Sequence, residues 1–133
     1  DALLRILPES GGQTIDSEDD FVEGAPELAV EVASSSASYD LHQKKNVYRR
    51  SGVREYLVWV TEEPRVDWWE LRDGQYVSLE PDSDGIIKSR VFPGLWLDVA
   101  ALLRRDFARV LEVVGRGVAS PEHAGFVTQL GKP

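Results

Sequence analysis

Three side chains in the first third of the chain have the types and spacing for hydrolytic chemistry: Glu27, Glu31 and Lys44. Glu27 and Glu31 belong to the alternating stretch Glu27–Ala33 (ELAVEVA), so a strand there turns both carboxylates to one side. Leu28, Val30 and Val32 then make the core face. Only Ala29 and Ala33 flank the carboxylates, which leaves room above the sheet. A helix expected from about Ala37 to Ser51 should pack on that sheet and leave Glu31 semi-buried. A semi-buried carboxylate needs a cation, a metal or hydrogen-bond donors. The plainer alternative is that the charges only keep an edge strand soluble.

The helix offers the cation. At about 100° per residue, Ala37, Leu41, Lys44, Val47 and Tyr48 share a stripe, with Asp40 and Ser51 at its edge. His42, Asn46, Arg49 and Arg50 fall opposite, and Lys45 on the flank. Lys44 thus sits in the middle of the apolar stripe. It reads either as a cation aimed at the strand carboxylates or as a structural lysine, snorkelling past Tyr48 or paired with Asp40.

Other constellations are weaker. His42 and His123 are the only histidines, too far apart in sequence for a zinc pair, and both read as surface residues. Trp68 and Trp69 must point to opposite faces of a strand, so one of them belongs to the core. Ser34–Ser36 reads as helix capping. Asp16, Glu18, Asp19 and Asp20 lack calcium-loop spacing and read as a solvated loop tip.

The elements that position these residues follow from periodicity and turn chemistry. Ala2–Leu7 is a short strand ended by Pro8. A polar, Gly-rich connection up to Pro26 is a hairpin excursion with an exposed tip. Gly52 suits the C-terminal cap of the helix. Arg54–Val60 is a largely buried strand. Val66–Arg72 and Gln75–Glu80 flank Asp73-Gly74, a strong hairpin signal. Asp84-Gly85 leads to a strand over Ile86–Phe92, and Pro93-Gly94 breaks the pattern. Helices follow over about Asp98–Arg104 and Asp106–Val118, and a last one opens at Ser120-Pro121. The expectation is a single α/β (α+β) domain over 1–133, a mixed sheet flanked by helices, with 104–133 as a helical extension.

Composition narrows the function classes. With 133 residues, 42% of them hydrophobic, and four Trp, the chain folds. Zero Cys excludes disulfides, thiolate catalysis and Cys-ligated metals, in keeping with a cytoplasmic setting. No apolar run approaches the roughly 20 residues of a membrane span. The net charge of -8 argues at first against a polyanion partner, but it is confined to one segment. Residues 1–31 hold nine acids and one base, whereas 32–133 balance at fourteen of each. From Asp40 to Arg54 there are five bases, Lys44, Lys45, Arg49, Arg50 and Arg54, against one acid.

Taken together, Pro26-Glu27-Leu28, Glu31-Val32, Asp40, Lys44, Tyr48, Gly52-Val53 and Glu55-Tyr56 resemble the Uma-two family of restriction endonucleases, which is similar to the PD-(D/E)XK nucleases. Phe92-Pro93-Gly94-Leu95 and Leu97-Asp98 resemble that family's later segment. The resemblance implies a restriction-endonuclease-like fold and a Mg²⁺- or Mn²⁺-dependent endonuclease acting on nucleic acid, DNA in the first instance, as a homodimer. The lysine position of the superfamily motif is Ala33 here, and the family's usual Asp is Glu27. The implied site is therefore Asp1, Glu31, Lys44 and Glu27. Asp1, Glu31 and the Val32 carbonyl would hold the metal, and Lys45, Arg49, Arg50 and Arg54 would contact phosphates. Asp1 is the first residue, without an initiator Met, so a native N-terminal segment is expected to be missing. The alternative is a catalytically inactive relative that binds nucleic acid or dimerises.

Overall fold

Two-residue alternation and turn chemistry account for most of the elements. In the computed structural model, residues 1–35 and 39–132 are described, without the side chains of Tyr39 and Asp40. Ser36, the expected helix start at Ala37 and the Asp40 carboxylate lie outside them. The chain divides into two units, Asp1–Ser78 and Leu79–Lys132, each described in turn.

The first unit contains β1 (Ala2–Leu4), β2 (Ile15–Asp16), β3 (Val22–Glu23), β4 (Leu28–Ala33), α1 (Tyr39–Ser51), β5 (Glu55–Val60), β6 (Arg65–Arg72) and β7 (Gln75–Ser78). Five strands form a mixed sheet in the order β1-β4-β5-β6-β7, and β2 pairs with β3 as the expected hairpin excursion. Only β4 and β5 run parallel. A parallel pair requires a crossover, which α1 supplies. Gly52 ends α1 at φ +87°, where Val53 N–H donates to Tyr48 O (3.0 Å) and Gly52 N–H to Arg49 O (3.3 Å), the paired bonds of a Schellman cap. Asp73 (φ 49°) and Gly74 (φ 78°) both take the left-handed conformation of a type I′ hairpin.

The strand register decides which face is core. Ala29 lies beside Tyr56, Glu31 beside Val58 and Ala33 beside Val60. Ala29, Val53, Tyr56, Val58 and Val60 form a buried cluster packed by Leu41 and Tyr48 of α1. This corrects the expected core face of β4. Leu28 is buried, but Val32 is 47% exposed, whereas Glu27 and Glu31 are 1% and 7% exposed. The helix packs where the alanines leave space, so the carboxylate face is the better covered one. Trp68 is the core tryptophan, as alternation requires, with its indole N–H donating to Glu55 (3.1 Å).

In the second unit, β8 (Ile86–Lys88) pairs with β9 (Trp96–Asp98), a strand that periodicity did not signal. Three helices follow: α2 (Val99–Leu103), α3 (Phe107–Val118) and α4 (Pro121–Leu130). Asp98, Asp106 and Ser120 cap them by accepting from the Ala101, Arg109 and His123 amides. The Phe92-Pro93-Gly94 segment lies against α3. A Cβ on Gly117 would fall 2.0 Å from the Gly94 carbonyl oxygen, so that helix position admits no side chain. His123 is half-buried with Nδ1 3.0 Å from Pro93 O, rather than on the surface as expected.

Asp98 joins α2 to α3, since its second oxygen accepts from Arg109 Nε (3.2 Å). The Ala101 amide first, then the Arg109 guanidinium, hold its carboxyl below the usual range. A depressed native value gives stability that is present above the unfolded value near pH 4 and lost as pH falls through the native one. Asp98→Asn keeps a capping side chain and removes the titration. It should be less stable than wild type at neutral pH, with the gap closing below about pH 4. Urea midpoints from pH 2 to 6 measure this; a constant gap would show that Asp98 does not carry the acid sensitivity.

Candidate active site

Glu31 comes from the middle of β4, paired on one side by β1 and on the other by β5. Its side chain is 9% exposed, and Oε1 is 2.5 Å from Lys44 Nζ on α1. Lys44 is 41% exposed, so its ammonium reaches the carboxylate from a partly wet flank. Removing the lysine alone takes the cation from a nearly buried carboxylate. The cost is about 2–4 kcal/mol, below that of a fully buried pair because Lys44 is partly screened.

Asp1 arrives from the far side. Ala2 lies opposite Val30, and the same antiparallel register carried one residue further sets Asp1 opposite Glu31. Asp1 Oδ1 accepts from Val32 N–H (3.2 Å) and the side chain is exposed. Lys44 of α1 thus meets Glu31, and Asp1 meets the neighbouring Val32 amide. Among the described residues no group of three or more His, Cys, Asp or Glu side chains could hold a metal ion. The expected donor set of Asp1, Glu31 and the Val32 carbonyl contains only two carboxylates. That fits a hard cation which takes one or two carboxylates and keeps waters and substrate oxygens.

Glu27, on the same face, has different partners. Oε1 accepts from Ile6 N–H (2.7 Å) and Oε2 from Gln13 N–H (3.0 Å). Gln13 Nε2 in turn donates to Ala25 O (3.0 Å) and Gly52 O (2.8 Å). Glu27 thus closes the Gly-rich connection against the start of β4. No local pattern marks such a contact, because its partners are backbone amides 21 and 14 residues away.

The helix wheel needs one correction. Val47, on the inward stripe of the wheel, is 47% exposed, while Lys45, on its flank, lies with Nζ 3.9 Å from the Trp69 ring centroid. The inward stripe runs through Leu41, Lys45 and Tyr48, with Lys44 on its shoulder. A lysine stem covers apolar surface and its ammonium is held by an aromatic face, worth about 1 kcal/mol. Burial lowers the Lys45 pKa, with Asp67 opposing and Arg65 reinforcing the shift. Among the expected phosphate contacts, Arg50 and Arg54 are exposed, and Arg49 is half-buried with its guanidinium donating to Gly74 O (3.2 Å).

Between α1 and the sheet is a cavity of about 160 Å³, whose walls include Lys45, Trp69, Arg65, Asp67 and Tyr56, with His42 among the lining residues. Tyr56 is the centre of an aromatic cluster. Tyr48 stands edge-on to it at 5.0 Å, and Trp69 and Tyr76 lie 5.7 and 6.3 Å away. Its hydroxyl is buried and without a hydrogen-bond partner among the described residues, a defect worth about 1–3 kcal/mol. The Tyr76 hydroxyl, by contrast, donates to Val53 O (2.9 Å). Tyr56 appeared in the sequence only as part of a spacing, so nothing there marked it as special.

The model of the Uma2 family, described as "Putative restriction endonuclease", matches residues 3–100. The chain belongs to the Uma2 family. The match contains Glu27, Glu31, Lys44 and the whole parallel β4/β5 pair, together with β8 and β9. The Uma2 match ends before α3 and α4. No match to a curated protein accompanies it. The mixed sheet with its crossover helix is consistent with a restriction-endonuclease-like fold, and a nuclease is the activity the family description supports. Among the described residues no helix is long and apolar enough to cross a membrane.

The Glu27 staple gives a direct test of what that carboxylate does. Glu27→Ala leaves two amides without their acceptor and should destabilise the first unit by about 2–4 kcal/mol in denaturant titration. A change below about 0.5 kcal/mol would mean that the Ile6 and Gln13 amides find other acceptors.

Proposed function

We propose that the chain is a metal-dependent endonuclease that hydrolyses phosphodiester bonds in DNA. What supports this reading is that Lys44 of α1 reaches Glu31 on β4 (2.5 Å), while Asp1, opposite Glu31 in the β1 register, accepts from the Val32 amide. Asp1 and Glu31, with the Val32 carbonyl, would hold Mg²⁺ or Mn²⁺, which supplies Lewis acidity toward the phosphate and makes water a better nucleophile. Lys44 turns from Glu31 to the scissile phosphate, where a positioned ammonium stabilises the charge that builds in the transition state. Glu27 holds the loop that leads into β4, and so keeps the strand carrying Glu31 in register. Arg50 and Arg54 are exposed cations for backbone phosphates, which position a duplex without reading its sequence. Each chain has one such site, so cutting both strands of a duplex calls for two chains, and we read the active form as a homodimer.

The second reading rests on the ion pair itself. Glu31 and Lys44 neutralise one another, as they would in an inert relative that binds nucleic acid or dimerises without cutting. Supercoiled plasmid incubated with Mg²⁺ or Mn²⁺ separates the two. The nuclease should nick or linearise it, and Glu31→Gln and Lys44→Ala should each cut the rate about 10²- to 10³-fold. Cleavage that survives both substitutions would overturn the site. Duplex binding without cleavage under either metal would favour the inert module.

A further inference from the structure

Tyr56 has no part in that reading, yet it is the most anomalous group near the site. It is fully buried, and its hydroxyl lacks a partner among the described residues. Val58, the cross-strand neighbour of Glu31, is two residues along from Tyr56 on the same face. Strand spacing and rise put the Tyr56 and Glu31 backbones about 8 Å apart, within the combined reach of the two side chains. Burial first, then the negative charge of Glu31, push the phenol well above its usual range, so Tyr56 remains a donor. The Tyr76 hydroxyl donates to Val53 O, and none of the described residues puts an acceptor within hydrogen-bond distance of the Tyr56 hydroxyl.

We propose that Tyr56 is a positioning residue for Glu31, a reserve donor whose hydroxyl takes up the carboxylate when Lys44 is drawn away from it. In the closed pair Lys44 occupies Oε1, and the hydroxyl goes unsatisfied. With Lys44 elsewhere, Glu31 loses its cation but stays on the covered face, and a small tilt of the carboxylate toward Tyr56 satisfies both groups. The pair can then open toward an anionic ligand without stranding Glu31. The device needs no particular ligand and stands whether or not the chain cuts DNA.

Tyr56→Phe compared by thermal unfolding in three backgrounds tests it, the first two being wild type and Lys44→Met. In wild type, Tyr56→Phe removes an unsatisfied hydroxyl and should raise Tm by about 2–5 °C. In the Lys44→Met background the hydroxyl is bonded to Glu31, so the same substitution should lower Tm by about 2–5 °C. A third background, Glu31→Leu with Lys44→Met, removes the acceptor and should restore the positive sign. A hydroxyl that merely fills space would give the same shift in all three backgrounds, and that result overturns the proposal. If Lys44→Met does not fold in dilute buffer, the comparison is made in sucrose, which favours the folded state in every variant alike.

Discussion

Burying Glu31 on the helix-covered face is the constraint around which the first unit is built. A carboxylate that is 9% exposed needs a cation or hydrogen-bond donors, and neither Ala33, two residues on, nor the cross-strand neighbour Val58 supplies either. The cation must come from the element packed above, so α1 has to lie where Lys44 can reach down. Several features follow from that requirement. The parallel β4/β5 pair forces a crossover, the small side chains of Ala29 and Ala33 let the helix approach, and the Schellman cap at Gly52 turns the chain straight into β5. Tyr48, one turn beyond Lys44, packs on Tyr56 and fixes the height of the helix over the sheet.

The acidic balance of the chain looks different once the buried acids are followed individually. Glu27, Glu31, Glu55 and Glu70 are each 7% exposed or less, and each has a different kind of partner. Backbone amides serve Glu27, the Trp68 indole N–H serves Glu55, Lys44 serves Glu31 and Arg72 serves Glu70. These charges act over a few ångströms inside the fold rather than as a field around it. Two of the four are cancelled by a base in contact, so what a polyanion meets depends on where the exposed charges lie rather than on the total of -8.

What the sequence made legible was local. Alternation located β4 and β5, Asp73-Gly74 the hairpin, and Ser or Asp followed by a helical pattern the capped helices. The helix wheel left Lys44 open between a cation for Glu31 and a structural lysine, and only the family resemblance favoured the first. The sequence misled where two faces competed. Val30 and Val32 look like the core side of β4, but Val32 is open because the helix covers the alanine side instead. On α1, Val47 pulled the expected stripe away from Lys45, whose stem and ammonium are drawn in by Trp69 of β6. Contacts over longer separations, such as Glu27 to Ile6 and Gln13, have no local signature at all.

Carrying the cation on a helix rather than on the strand of the carboxylate changes what the site can do. A lysine two residues beyond Glu31 would be held by the sheet at a distance set by strand geometry, with ladder bonds on both sides resisting any shift. Lys44 has a long flexible stem on a helix shoulder and is 41% exposed, so its ammonium can swing without disturbing the sheet. Glu31 gains no such freedom, since it sits on a strand paired on both edges. The rigid partner is the acid and the mobile one is the base. An arriving anion therefore competes for Lys44 alone, and the energetic question at this site is what becomes of the carboxylate left behind.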